Sequence, residues 1–240
     1  MRVQRAIGLI GLIGLMSIDA FGCGLRELGN TMKCPGDMVY IPGGPTQIGY
    51  PPPLQKWMEA ARMVTLEPYC IDRYEWPNKK GAMPEGWLTW DEARANCEGV
   101  EKRLCTSAEW ERACKGPAGN RYSYGRQRDP SACNTPINGP GPGLADPPLA
   151  PSGSHERCHS NDGVYDLNGS LSEWTSDFWD GPPEPFNAEA KVDAHWFTLR
   201  GGTMWNRTFY GQDCSSRHGH RRSFENMDDG ARCCKSVGGG

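Results

Sequence analysis

Apolar residues in this chain come in short runs, separated by polar and glycine–proline stretches. That pattern predicts short elements joined by long connections. The first run, Ala6–Met16 (AIGLIGLIGLM), follows Arg2 and Arg5 and precedes Ala20-Phe21-Gly22-Cys23. It holds 11 residues, too few to span a bilayer. A basic start, a short apolar centre and small residues at Ala20 and Gly22 make an export signal cut after Gly22. Residues 1–22 are therefore expected to be a signal peptide and 23–33 a linker.

Met38–Pro42 (MVYIP), before Gly43-Gly44, predicts a strand that ends in a turn. Val64–Ile71 (VTLEPYCI) predicts a second strand, and Gly230–Ser236 a final one. Trp196, Phe197 and Leu199 form a strand-like lead into Gly201-Gly202, where the backbone can turn sharply. Two segments read as helices. Thr89-Trp90-Asp91-Glu92 is a capping box, and Trp90, Ala93 and Cys97 share one face of a helix running to about Glu98. Thr106-Ser107-Ala108-Glu109 is a second box. Its helix carries Trp110, Ala113 and Cys114 inward and stops by Gly116-Pro117. Residues 118–162 read as loop, rich in proline and glycine.

Gly163–Trp174 (GVYDLNGSLSEW) concentrates side-chain oxygens at Asp166, Asn168, Ser170, Ser172 and Glu173, with Gly169 for a tight turn. Such a loop can hold a hard cation, which takes six to eight oxygens, or can be a turn held by its own hydrogen bonds. The spacing is not that of an EF-hand.

Composition changes this picture in two ways. The 31 glycines and 20 prolines, about a fifth of 240 residues, sit below a low-complexity level. With nine tryptophans they suit a packed but loop-rich domain. The net charge of −3 offers no case for nucleic acid. The basic run Arg217–Arg222 reads as a solvated surface. The 11 cysteines matter more. Cys23 follows the signal cut, as a lipidated cysteine of a bacterial lipoprotein would. The other ten, an even number in an exported chain, predict disulfides. Cys34 and Cys70 flank the first two strands, Cys133 and Cys158 bracket the long loop, and many connectivities stay open.

Four motifs in order carry a resemblance: Met38–Gly44 (MVYIPGG), Trp90–Ala113 (WDEARANCEGVEKRLCTSAEWERA), Gly163–Trp179 (GVYDLNGSLSEWTSDFW), and the set Arg200-Gly-Gly-Thr203, Cys214-Ser-Ser-Arg217, Gly230-Ala-Arg-Cys233. Together they resemble the formylglycine-generating enzyme (sulfatase-modifying factor) domain over about residues 34–236. The resemblance implies an α+β fold: a single compact domain with little regular secondary structure, a disulfide-rich variant of the C-type-lectin-like fold. It implies disulfides Cys97–Cys233 and Cys114–Cys214, which leaves Cys34–Cys70, Cys133–Cys158 and Cys105–Cys234. It also implies structural calcium, at Asp166, Gly169, Leu171 (through its backbone) and Glu173, and at Asn134 and Thr135 with Asp146.

Enzymes of that family oxidise a cysteine of a sulfatase with oxygen and hold copper(I) by two thiolates, soft ligands suited to that ion. Here Thr203–Asp213 has no cysteine. Asn206 and Gly211 stand at the thiol positions, and neither can hold copper(I). Ser172 stands where the family has a tryptophan. Met204, His218 and His220 are the other soft or borderline ligands nearby, read here as part of an exposed basic loop. No nucleophile motif points to a hydrolase. The expected protein is an exported, lipid-anchored module of the bacterial cell envelope, monomeric and non-catalytic. Its loops over residues 118–162 and 203–230 would present a surface to a protein or glycan. The alternative is an oxidoreductase of the formylglycine-generating type with altered ligands.

Overall fold

A computed structural model describes residues 34–51, 59–135, 148–181, 195–203 and 212–237. Strand β1 is Met38–Ile41, β2 Gly44–Ile48, β3 Arg62–Leu66 and β4 Tyr69–Asp72. Helix α1 spans Trp90–Glu98, β5 Arg103–Leu104 and α2 Ser107–Lys115. Then come β6 (Ser172–Phe178), β7 (Trp196–Arg200), β8 (Arg217–Arg221), β9 (Asp229–Ala231) and β10 (Cys233–Ser236). One four-stranded sheet has the order β1-β4-β10-β5, a second β8-β7-β6-β9, and β2 pairs with β3 apart from both. The chain has the α+β architecture expected of it.

Both helices start at their capping boxes. Thr89 accepts from the Glu92 N–H while Glu92 accepts from the Thr89 N–H; Thr106 and Glu109 repeat the arrangement. Two expected strands are each divided. Val64–Ile71 breaks at Glu67-Pro68, because proline has no N–H for a ladder. β3 then pairs with β2, while β4 joins β1 and β10 in another sheet. Gly230–Ser236 breaks at Arg232, so that β9 lies parallel to β6 and β10 antiparallel to β4 and β5.

The division at Arg232 explains the adjacent cysteines. Successive residues of a strand point to opposite faces. Cys233 enters the cluster of Trp90, Ala93, Trp174, Phe197 and Leu199 and bonds Cys97 of α1. Cys234 enters the cluster of Ile41, Ile71, Trp110 and Leu167 and bonds Cys105. The remaining disulfides are Cys114–Cys214, Cys34–Cys70 and Cys133–Cys158. Restricting loops of 100 and 136 residues stabilises by about 4–5 kcal/mol per bond in the chain-entropy account.

Candidate functional site

The sheet β8-β7-β6-β9 organises the candidate sites, and its two faces differ in kind. Register sets which side chains share a face. Glu173 is level with Arg200, and Arg200 with Arg217. Trp174 is level with Leu199, Leu199 with His218, Phe197 with His220, and Ser172 with Asp229. One face is therefore ionic and meets α2. The other is mostly apolar and meets α1, with Trp90 stacked on Phe197 at 3.9 Å.

At Glu173, Arg200, Glu111 and Arg232 the ionic face is fully buried and densely paired. Arg232 Nη2 donates to Glu173 Oε1 at 2.7 Å and its Nε to Glu173 Oε2 at 2.9 Å. Trp110 Nε1 donates to Glu173 Oε2 at 2.6 Å. Arg200 donates to Ser107 Oγ and pairs with Glu111 at 2.9 Å. Glu111 also accepts from the Gly49 N–H and from Ser215 Oγ, and pairs with Lys115. Buried ions of this sort hold only when they are paired and hydrogen-bonded.

The acidic loop folds onto this network. Asp166 Oδ2 accepts from the Gly153 N–H at 2.6 Å. Burial pushes its carboxyl up to about 6. Glu75, which sequence reasoning missed, lies beneath the loop with no exposed surface. Ser170 Oγ and the Leu171 N–H both donate to it at 3.1 Å. Burial, then Asp166 and Glu173, push the Glu75 carboxyl well above the usual carboxylate range. Its only sequence mark is an acid between two aromatics, Tyr74 and Trp76. Burial works against the charge on Arg232, yet Glu173, Glu75 and Asp166 keep it firmly protonated.

The structure brings the two groups of residues expected to hold calcium together. The Ser170 N–H donates to the Asn134 carbonyl at 2.9 Å, and Thr135 packs on Gly169. Gly169 has a φ of 77°, and a Cβ there would lie 2.3 Å from the Asn134 carbonyl oxygen, so only glycine fits. As placed, these oxygens face protein donors. Asn168 accepts from the Ser123 N–H and donates to the Gln212 carbonyl. An ion ligated by Glu173 would have to displace Arg232 and Trp110. Asp146 lies outside the described residues.

The copper positions give a plainer answer. Asn206 and Gly211 lie outside the described residues, as do Met204 and Cys23. All ten cysteines from Cys34 to Cys234 are in disulfides. The described chain thus contributes no thiolate to a copper(I) centre, and its residues do not fit that group.

His218 and His220 are not in an exposed basic loop. They lie on β8, with His218 7% exposed and Arg221 9%. Two arginines of the run are covered, Arg217 lying over Trp179 and Arg221 over Trp196, while Arg222 pairs with Asp91 at the surface. The alternation of strand β8 sends both histidines to the α1 face. There His220 Nδ1 lies 3.0 Å from Asp229 Oδ2, and Trp174 packs edge-on against His220. Burial, then His220, hold His218 well below the usual imidazole range.

This assembly of capped helices, split terminal strand and GG turn defines a class: a disulfide-braced domain of the formylglycine-generating type. Residues 75–237 match the family described as sulfatase-modifying factor enzyme 1-like domain. The chain belongs to that family. It is 27% identical over 164 residues to the formylglycine-generating enzyme of Mus musculus, covering 61% of this chain and 42% of that one. It is 26% identical over 176 residues to the inactive C-alpha-formylglycine-generating enzyme 2 of Mus musculus, covering 67% and 51%. The crystal structure of CarF superposes with a TM-score of 0.61 at 17% identity, covering 85% of this chain and 99% of that one. The chain spans about a quarter to a half of the length of the curated relatives it matches.

Proposed function

We propose that this chain is an exported, non-catalytic member of the formylglycine-generating family that acts as a binding or scaffold module. The observation that carries the reading is the cysteine chemistry. Thr203–Asp213 holds no cysteine, and every cysteine from Cys34 onward is in a disulfide. A copper(I) oxidase of this kind needs two free thiolates. Similarity to a relative named as inactive is consistent with that reading. Five disulfides suit an oxidising compartment, which agrees with the signal-like segment 1–22 and lipidation at Cys23. Among the described residues no helix is long and apolar enough to cross a membrane. The loops within 118–162 and 203–230 are the surface such a module would present to an envelope protein or glycan. Calcium at Asp166, Gly169, Leu171 and Glu173 would require Arg232 and Trp110 to leave Glu173, so this reading assigns no ion there.

Anaerobic copper(I) titration of the mature chain, with turnover of a sulfatase-motif peptide, tests the reading. The expected result is no tight stoichiometric copper(I) and no aldehyde. Stoichiometric copper with aldehyde formation would establish the oxidoreductase instead. A calcium arm in the same titration reads stability: the expected result is an unchanged unfolding midpoint, and a raised one would show that calcium displaces the Arg232 and Trp110 contacts.

A further inference from the structure

The α1 face of the sheet carries a cluster that neither the disulfides nor the acidic loop explains. His218 and His220, two apart on β8, and Asp229 on β9 place one potential ligand atom each within 4.8 Å of one another. His218 is 7% exposed, His220 half-buried and Asp229 1% exposed. Surrounding them are Trp174, Phe224 and the core of α1, so the cluster has an apolar wall.

A buried His–Asp hydrogen bond is the bland account, and it covers only part of the observations. It satisfies Asp229 Oδ2. Asp229 Oδ1 is buried and has no hydrogen-bond partner among the described residues. A buried carboxylate oxygen without a partner is uncommon, and an ion ligated by Asp229 accounts for it.

We propose that His218, His220 and Asp229 form a site for a first-row divalent transition metal of the zinc class. Two imidazoles and one carboxylate are the donors such ions take, with bonds of about 2.0–2.2 Å. A tetrahedral ion of that kind spaces its ligand atoms about 3.4 Å apart, so side-chain rotations of about an ångström close the site. Imidazole donors exclude calcium and magnesium, which take oxygen. Three protein ligands leave a fourth position open, for water or for a donor brought by a partner. The ligand set shares no residue with the family's thiolate positions or with the set Asp166, Gly169, Leu171 and Glu173, and Glu173 faces the other side of the sheet. It stands whether or not the module catalyses anything.

Cobalt(II) is the probe, because its ligand-field spectrum reports the donor set. Untagged mature chain is stripped with chelator and titrated with Co2+, then with Zn2+ in competition. The expected result is one Co2+ per chain, a tetrahedral or five-coordinate spectrum, displacement by Zn2+, and no displacement by equal Ca2+ or Mg2+. H218Q, H220Q and D229N should each weaken binding by at least about 100-fold, above the loss usual for residues that only orient ligands. Near-UV circular dichroism confirms that each variant is folded. Zn2+ should also raise the unfolding midpoint of the unsubstituted chain, a reading that needs no variant. The proposal is overturned if the unsubstituted chain takes up no stoichiometric Co2+ or Zn2+ at micromolar concentration. It is equally overturned if binding is unchanged in folded H220Q and D229N.

Discussion

Glu173 and Asp229 sit one register step apart on neighbouring strands, yet they face opposite sides of one sheet and meet opposite fates. Glu173 has Arg232 and Trp110 on its two oxygens. Asp229 has a single imidazole contact and one buried oxygen with no partner among the described residues. The first is a charge the fold satisfies itself. The second is a charge the fold leaves partly open. A buried carboxylate becomes a candidate for function when its own chain does not finish its hydrogen bonds, not merely because it is buried.

Disulfides should give the largest effects, and they weigh the two faces against each other. Cys97–Cys233 clips α1 to the apolar face and Cys114–Cys214 clips α2 toward the ionic face. Paired alanine replacement of either is expected to cost about 4–5 kcal/mol in urea unfolding. Because the closed loops are 136 and 100 residues, the unfolded-state part is nearly equal. A difference above about 1 kcal/mol would therefore measure the faces themselves.

The charge comparison comes next. R232M removes the only guanidinium bonded to Glu173 among the described residues and is expected to cost about 3–5 kcal/mol, since it strands a buried carboxylate. D229N, in metal-free protein, keeps a hydrogen-bonding group beside His220 and should stay within about 1 kcal/mol of the unsubstituted chain. Equal losses from the two substitutions, read by the same urea titration, would erase the contrast drawn above.

A third test uses pH on the ionic side, where Arg232 donates to the Asp72 carbonyl. Burial pushes the Asp72 carboxyl up to about 6, against the pull of Lys102 at 2.6 Å. Lys102 is itself held protonated, but Asp37 shares its charge, and Asp72 Oδ2 has no partner among the described residues. The folded chain thus takes this proton more readily than the unfolded chain, whose value is near 3.8. The resulting stability is full below about pH 4 and is lost as pH rises through about 6. In D72N that loss between pH 4 and pH 7 should shrink by about 2–3 kcal/mol, as read by unfolding at each pH.

Much of the frame was legible because it depends on local chemistry. Capping boxes, a glycine–proline stop and inward cysteines are written in consecutive residues, so α1 and α2 could be placed by eye. The acidic loop was legible as a cluster of oxygens, but not as the roof over Glu75, which comes from 95 residues away in sequence. The histidines were misread for the same reason. Arg217–Arg221 looks solvated because its covers, Trp179 and Trp196, are distant in sequence. Pro68 marks a break that an apolar run concealed, and Arg232 marks another because its side chain belongs to the opposite strand's carboxylate.

The smallest expected effect tests whether the two helices support the two faces equally. Thr106 caps α2, whose Trp110 fixes Glu173; Thr89 caps α1, whose Trp90 stacks on Phe197. Each hydroxyl satisfies one orphan N–H, so T106A and T89A should each cost about 1 kcal/mol by urea unfolding. Their consequences should differ. Fraying at Thr106 loosens a directional hydrogen bond into a buried ion pair, where small displacements are costly. Fraying at Thr89 loosens a stack of apolar rings that can repack. T106A is thus expected to exceed T89A by a few tenths of a kcal/mol, and the gap should vanish in the R232M background, where Glu173 has already lost its guanidinium. A gap that survives R232M would place the difference in the helices rather than in the faces they cover.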